Sequence, residues 1–386
     1  MALCVHWRAR MLLWFALAVL YWLAQAAVAW RLARALRTVA SLPLLERSRW
    51  PTVSLVVPAR NEGDTVRRAL EARLREGYPL LEVVLVDDRS TDDTGAQAKA
   101  VASFDPRVTV VRVDTLPDGW LGKVNALQQG LLVARGEWIL FSDADVHLAP
   151  GTLSRIVGWA EQEGLDHVAA LPSIEPADRV TTLAIDAFLR LILMVGRLWA
   201  VEDPKSTAAA GGGTFSLFRR SVLDRTPGLE WLKMEVGDDA ALGVLLKRLG
   251  GARQRVVVAR EAVSLQFYPS FGALTRALEK NGAMAPMLPV LLGLAALAAL
   301  EVGWLAGFAA WWPLGVAAWV FAAVVSYSTS RWLRFPTWPA LFPGLGFVPL
   351  AAVLARSAVL AWVRGGVMWR GCFYPTSAVR AGRRVP

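Results

Sequence analysis

What most constrains this chain is where its charge-free apolar stretches lie. Met11 to Trp30 is 20 residues without a charge, and Gly282 to Ser330 is 49 residues whose single charge is Glu301. A bilayer core takes about 20 helical residues, so the first stretch predicts one membrane span and the second predicts two. A further uncharged run, Phe335 to Ala355, is followed by Arg356 and apolar residues to Val363. It predicts a fourth segment, interrupted by Pro336, Pro339, Pro343 and Pro349. The first run has no small-residue cleavage site and is longer than a signal-peptide core, so it is read as a retained anchor.

The composition, 55% hydrophobic and 19% charged, excludes a disordered chain. A formal net charge of +10 invites a nucleic-acid reading until the charges are located. Residues 51–281 hold 27 basic and 30 acidic side chains, whereas the two flanks together hold 15 and 2. The excess therefore lies beside the apolar runs, and a nucleic-acid partner is not expected. Arg31 to Trp50 carries five Arg against Arg8 and Arg10 before the anchor, which places the interior domain on the cytoplasmic side of a multi-pass cell-membrane protein. The tail from Arg364, with five Arg and no acid, also favours the cytoplasm. Three full spans after a cytoplasmic domain would put it outside, so either one C-terminal segment, in the first place the proline-rich one, is re-entrant, or the tail breaks the rule. The expected organisation is an anchor and basic juxtamembrane segment (1–50), an interior domain (51–281), membrane segments (282–363) and a basic tail (364–386). Cys4 and Cys372 have neither a disulfide framework nor metal-ligand spacing.

Between the apolar flanks, short β-branched runs at Val53–Pro58, Glu82–Val86, Val108–Val113, Trp138–Ser142 and His167–Leu171 alternate with helical stretches near 62–76, 92–103, 121–135 and 151–164. This alternation predicts an α/β fold with a mostly parallel sheet and flanking helices, in which ligands bind beyond the carboxyl ends of the strands. Three strand ends carry polar clusters: Pro58-Ala59-Arg60-Asn61-Glu62, Asp87-Asp88 and Asp143-Ala144-Asp145. One acidic turn is commonly a helix cap. Three on one sheet edge would gather carboxylates whose repulsion a cation or ligand must offset. Two Asp two residues apart on an extended turn can both approach a hard divalent cation that keeps positions open for phosphate oxygens.

These residues resemble family-2 glycosyltransferases of GT-A fold. The resemblance runs from "VSLVVPARNE" through "VVLVDDRSTDDT" and "GKVNALQQGLLVARGEWILFSDAD" to Gly211-Gly212-Gly213-Thr214-Phe215 and Gly237-Asp238-Asp239. The anchor, the Gly119-Trp120-Leu121-Gly122-Lys123 element and the apolar C-terminal segments are most similar to membrane enzymes that glycosylate lipids: bacterial carotenoid and hopanoid-associated transferases and ceramide glucosyltransferases. The resemblance implies that Asp87, with Asp88, contacts the nucleobase, and that Pro58 and Ala59 to Glu62 line the nucleotide pocket. Lys123 would lie near the diphosphate. Asp145 would ligate Mg2+ or Mn2+, with Asp143 and Ala144 beside it on the ribose or donor sugar. Gly212, Gly213 and Thr214 would border the acceptor, and Asp239 would be the base, with Asp238 where the family usually has Glu. The implied reaction moves one sugar from a nucleotide-sugar donor, UDP-linked by preference, to a hydroxyl of a membrane lipid with inversion. The alternatives are a polyprenyl-phosphate sugar synthase and a catalytically silent nucleotide-binding membrane protein. A Gln-x-x-Arg-Trp sequence is absent around Thr275 to Asn281, which disfavours a polymer-forming synthase.

Ala184 to Val201 reads as a helix whose three charges, Asp186, Arg190 and Arg197, fall on one narrow stripe. Asp186 and Arg190 should pair at i, i+4. Such a helix is either an ordinary core helix or part of a slot through which a lipid acceptor reaches Asp239.

Overall fold

The structure is a computed structural model that describes residues 2–45 and 48–385, with side chains from Trp7 onward. In chain order its main elements begin with α1 (Ala2–Ala35), β1 (Arg37–Thr38), β2 (Val53–Ala59), α2 (Gly63–Leu74), β3 (Leu81–Asp88), α3 (Thr94–Ala102) and β4 (Val108–Val113). Next come α4 (Gly122–Val133), β5 (Trp138–Phe141), β6 (His147–Leu148), α5 (Thr152–Glu163), β7 (His167–Leu171), β8 (Ser173–Ile174) and α6 (Arg179–Gly196). They continue through β9 (Ser216–Arg219), α7 (Arg220–Leu223), α8 (Asp238–Val244), β10 (Gln254–Val258), β11 (Val263–Leu265) and α9 (Phe271–Ala277). The last are α10 (Met287–Glu301), α11 (Trp304–Ala310), α12 (Trp312–Leu333), α13 (Phe347–Arg364), β12 (Gly366–Trp369) and β13 (Cys372–Pro375). These elements form two compact units: 36–174 with 198–266 and 381–386, and 1–35 with 175–197 and 267–380.

The first of these units is an α/β layer structure. Its eight-stranded sheet has the order β1-β10-β7-β9-β5-β2-β3-β4. Every residue of β2 and β5 is buried, as befits strands at the centre of the sheet, and Ser54 is the one polar side chain in them. β4, at the edge, mixes buried with exposed positions. The register sets Ala59 opposite Asp87 and Val56 opposite Phe141, so β2, β3 and β5 end at one edge of the sheet. One strand was not expected. β9 runs antiparallel between β5 and β7, with Ser216 opposite Phe141, so the glycine run before it arrives at the same edge. A three-stranded sheet, β6-β11-β8, adds to this unit.

The other unit is helical. Among the described residues, three helical segments are long and apolar enough to cross a membrane: residues 7–35 of α1, α12 and α13. A fourth candidate is the pair α10 and α11, bent by 55° at the break between them. In the last uncharged run, residues 335–346 lie outside α13: Pro336 and Pro343 are in the connection between α12 and α13, Pro339 is in a short 3-10 turn within it (Trp338–Leu341), and Pro349 sits in the first turn of α13, where a missing N–H costs no helical hydrogen bond. The bend after Glu301 is a second break, which the sequence did not announce.

α6 stops at Gly196, because Arg197 takes a left-handed conformation (φ 45°) and leaves the expected stripe. The rest of the stripe is turned inward. Asp186 and Arg190 are buried, while Ile192 and Val195 are exposed, an arrangement opposite to that of a helix on a water-facing surface. Arg190 Nε pairs with Asp186 Oδ2 at 3.2 Å and its Nη1 pairs with Glu301 Oε2 at 3.0 Å. Ser330 Oγ donates to the other Asp186 oxygen at 2.7 Å. Tyr21 Oη and Gln25 Nε2 donate to Glu301, and the Trp22 ring lies 5.0 Å from the Arg190 guanidinium. Charges placed this deep among apolar helices are tolerated when paired and hydrogen-bonded, and here each is.

Candidate active site

The site grows from the strand ends. Beyond β5 the chain turns through Asp143-Ala144-Asp145, and the backbone N–H of Asp143 donates to the Gly213 carbonyl at 3.2 Å. Gly213 leads into β9, so the antiparallel strand presses the glycine run onto the acidic turn. A Cβ on Gly213 would stand 3.2 Å from Asp143 Oδ2, 3.4 Å from Lys123 Nζ and 3.5 Å from Asp239 Oδ2, and one on Gly211 would strike the Ala240 Cα at 2.6 Å. Glycine is required at 211, where a Cβ would collide with the backbone of α8, whereas at 213 a Cβ would be tight against Asp143 alone.

Lys123, in the first turn of α4, is the centre of this meeting. Its Nζ lies 2.8 Å from Asp143 Oδ1 and 3.5 Å from Asp238 Oδ2. Burial alone would pull the ammonium down, but Asp143, Asp238 and Asp239 together outweigh it and hold the group above the usual lysine range. Asp238 and Asp239 open α8. Asp239 Oδ2 accepts from the Gly213 N–H at 3.1 Å and Oδ1 from the Ala240 N–H at 2.8 Å, which fixes its carboxylate over the cleft. One lysine thus faces three carboxylates in a cleft open to solvent. Pro58, Lys123, Asp143, Gly213, Asp238 and Asp239 are among its walls.

Gly212 is also a wall of this cleft; the other expected residues are not, and those after β2 and β3 form a neighbouring group at the same sheet edge. Asn61, in a left-handed conformation (φ 55°), receives the Thr91 N–H on Oδ1 at 2.9 Å and donates its own N–H to Ser90 Oγ at 3.0 Å. The Glu62 N–H donates to Thr94 Oγ1, so the loops after β2 and β3 are laced together. Asp87 is buried: Oδ2 takes a hydrogen bond from Arg112 and Oδ1 one from the Ser90 N–H. Asp88 pairs with Arg89 at 2.7 Å. Arg60, Ala144, Asp145 and Thr214 also lie outside the cleft walls.

Two residues that the sequence reading missed support these groups. Arg112, inside β4, forks between Asp87, the Ser90 carbonyl and Asp114. Arg73, on α2, is fully buried and donates to the carbonyls of Asp143 and Ala144. Burial brings its guanidinium down to about 10, against the opposing pull of Asp145 and Asp143. The available signal was its place on the buried face of α2, with Val66, Ala69 and Leu70, where a leucine would be expected.

Among the described residues, no three His, Cys, Asp or Glu side chains are grouped so as to hold a metal. The acidic turn nevertheless suits a hard divalent cation of the Mg2+ type, which takes one or two carboxylates and completes its shell with phosphate oxygens and water.

Residues 54–226 match the model of glycosyl transferase family 2. The chain is similar to two succinoglycan biosynthesis proteins of Rhizobium meliloti (strain 1021). It is 38% identical to ExoO over 114 residues, 30% of this chain and 31% of ExoO. It is 30% identical to ExoU over 215 residues, 53% of this chain and 59% of ExoU. The matched stretches thus span between about a third and three fifths of these relatives' own length. The fold is similar to that of a mannosyltransferase from Pyrobaculum calidifontis, with a TM-score of 0.53 and 23% identity over 92% of this chain and 98% of that one.

Proposed function

Because residues 54–226 match the model of glycosyl transferase family 2, we propose that this chain moves one sugar from a nucleotide-sugar donor to a hydroxyl of a membrane lipid, with inversion. The observation that carries the reading is the cleft in which Lys123 faces Asp143 and Asp238, with Asp239 held across Gly213. An aliphatic hydroxyl is a poor nucleophile at neutral pH, and Asp239 is the base that accepts its proton as the oxygen attacks the anomeric carbon. Inversion follows because the attack comes from the face opposite the diphosphate. Lys123 exchanges its contact with Asp143 for the departing diphosphate, whose growing negative charge it stabilises. Asp145 and Asp143 would hold Mg2+ or Mn2+, which supplies further positive charge to the leaving group. Ala59 to Glu62 with Asp87 and Asp88 would take the nucleoside.

The P. calidifontis mannosyltransferase is described as a complex with GDP-Man and Mn2+. Guanosine and uridine donors are therefore both to be offered, although the resemblance favours UDP. A lipid acceptor is supported by the apolar helices and by the outward Ile192 and Val195 of α6. The arginines of 31–50 put the catalytic domain on the cytoplasmic side of the cell membrane, where nucleotide sugars are made. Mass spectrometry of lipids from cells with and without the gene should show a species one sugar heavier only when the gene is present. Identical lipid profiles would refute the lipid acceptor.

A further inference from the structure

The turn that carries Asp143 and Asp145 is held from behind by a residue with no part in the chemistry described so far. Arg73 is 0% exposed. Its Nη1 donates to the Ala144 carbonyl at 3.2 Å and its Nη2 to the Asp143 carbonyl. Its Nε is buried with no hydrogen-bond partner. For stability alone this is a poor use of the position. A well-packed apolar side chain in place of a buried charge is often neutral or better, and an orphaned buried donor is costly. The planar fork does something an apolar residue cannot. It ties two successive carbonyls on the inner side of the turn, which fixes the backbone from which both carboxylates project. It also sets a permanent positive charge behind two carboxylates that otherwise repel each other.

We infer that Arg73 is a positioning residue for divalent-cation binding by Asp143 and Asp145, through its grip on the backbone of their turn. This rests on the assignment of those two aspartates as metal ligands. Groups that orient metal ligands typically account for about 10- to 100-fold in metal affinity. Lysine keeps the charge but cannot bridge two carbonyls.

The test is direct titration of the purified full chain in detergent with Mn2+ alone, free Mn2+ being followed by electron paramagnetic resonance below the unfolding temperature of each variant. Arg73→Met should weaken Mn2+ binding roughly 10-fold or more, with Arg73→Lys between it and the unsubstituted protein. Tyr78→Phe serves as the structural control, since it removes a buried hydrogen bond to the Pro51 carbonyl. It should lower the unfolding temperature and leave Mn2+ affinity unchanged. Unaltered affinity in folded Arg73→Met overturns the inference, and if that variant does not fold, unaltered affinity in Arg73→Lys does so. If the unsubstituted protein binds no Mn2+, the metal reading of Asp143 and Asp145 falls and this inference with it. If it binds and the folded Arg73 variants bind equally, only the role of Arg73 falls.

Discussion

The two units handle clustered charge in opposite ways. In the helical unit Arg190 lies between Asp186 and Glu301, and Tyr21, Gln25 and Ser330 complete the set, with Arg190 and Glu301 each 2% exposed. In the α/β unit Lys123 meets Asp143, Asp238 and Asp239 in an open cleft, so that negative charge is left in excess beside solvent. A closed cluster with a partner for every charge fixes how helices assemble. An open one leaves carboxylates beside solvent, where the proposed function puts a divalent cation and a base. Burial and pairing, more than the number of charges, separate architecture from chemistry in this chain.

Four substitutions put that contrast at risk. Asp239→Asn should lower sugar transfer about a thousand-fold while nucleotide binding stays near the unsubstituted level, because a general base is lost and little else. Transfer kinetics together with donor binding would show this. Arg190→Met removes one partner of a buried pair and should cost about 3–5 kcal/mol of stability, much of it recovered when Glu301 is also made apolar. Thermal unfolding in detergent reads this loss, and transfer per folded molecule should hold. A fall in transfer without a fall in stability would erase the contrast. Lys123→Met should reduce transfer about a hundred-fold, the usual loss of one charge-stabilising group, with the unfolding temperature little changed.

The smallest effect concerns pH. Burial raises the Glu76 carboxyl to about 7, against hydrogen bonds from the backbone N–H groups of Leu153 and Tyr78. The folded state therefore holds a proton that the unfolded state releases near pH 4.5. The stabilisation is complete below that point and is lost as pH rises through about 7. Unfolding temperatures compared between pH 4.5 and 7.5 should fall more for the unsubstituted protein than for Glu76→Gln.

The sheet edge was legible in the sequence because β2, β3 and β5 are short, largely apolar runs that end in or lead into polar clusters, so strand position alone brings Pro58, Asp87 and Asp143 to one side. β9 was not, since Ser216 to Arg219 is four residues long and its antiparallel placement depends on partners far away in the chain. Arg73 escaped notice because an arginine on a helix is read as solvated. Its burial is set by the turn it holds 70 residues later. The Asp186–Arg190 pair followed from helical spacing, whereas its link to Glu301, 111 residues away from Arg190, is a product of packing. The prolines of residues 335–355 fall in the connection before α13 and in its first turn, whereas no proline marks the bend after Glu301.

Transfer of a sugar to a lipid by the open cluster is tested most directly by mass spectrometry of a membrane lipid extract incubated with purified protein, Mn2+ and UDP- or GDP-linked sugars, alongside Asp239→Asn. A lipid product heavier by one sugar is expected with the unsubstituted protein and almost none with the variant. No product from any donor, or equal product from Asp239→Asn, would contradict the proposed transfer.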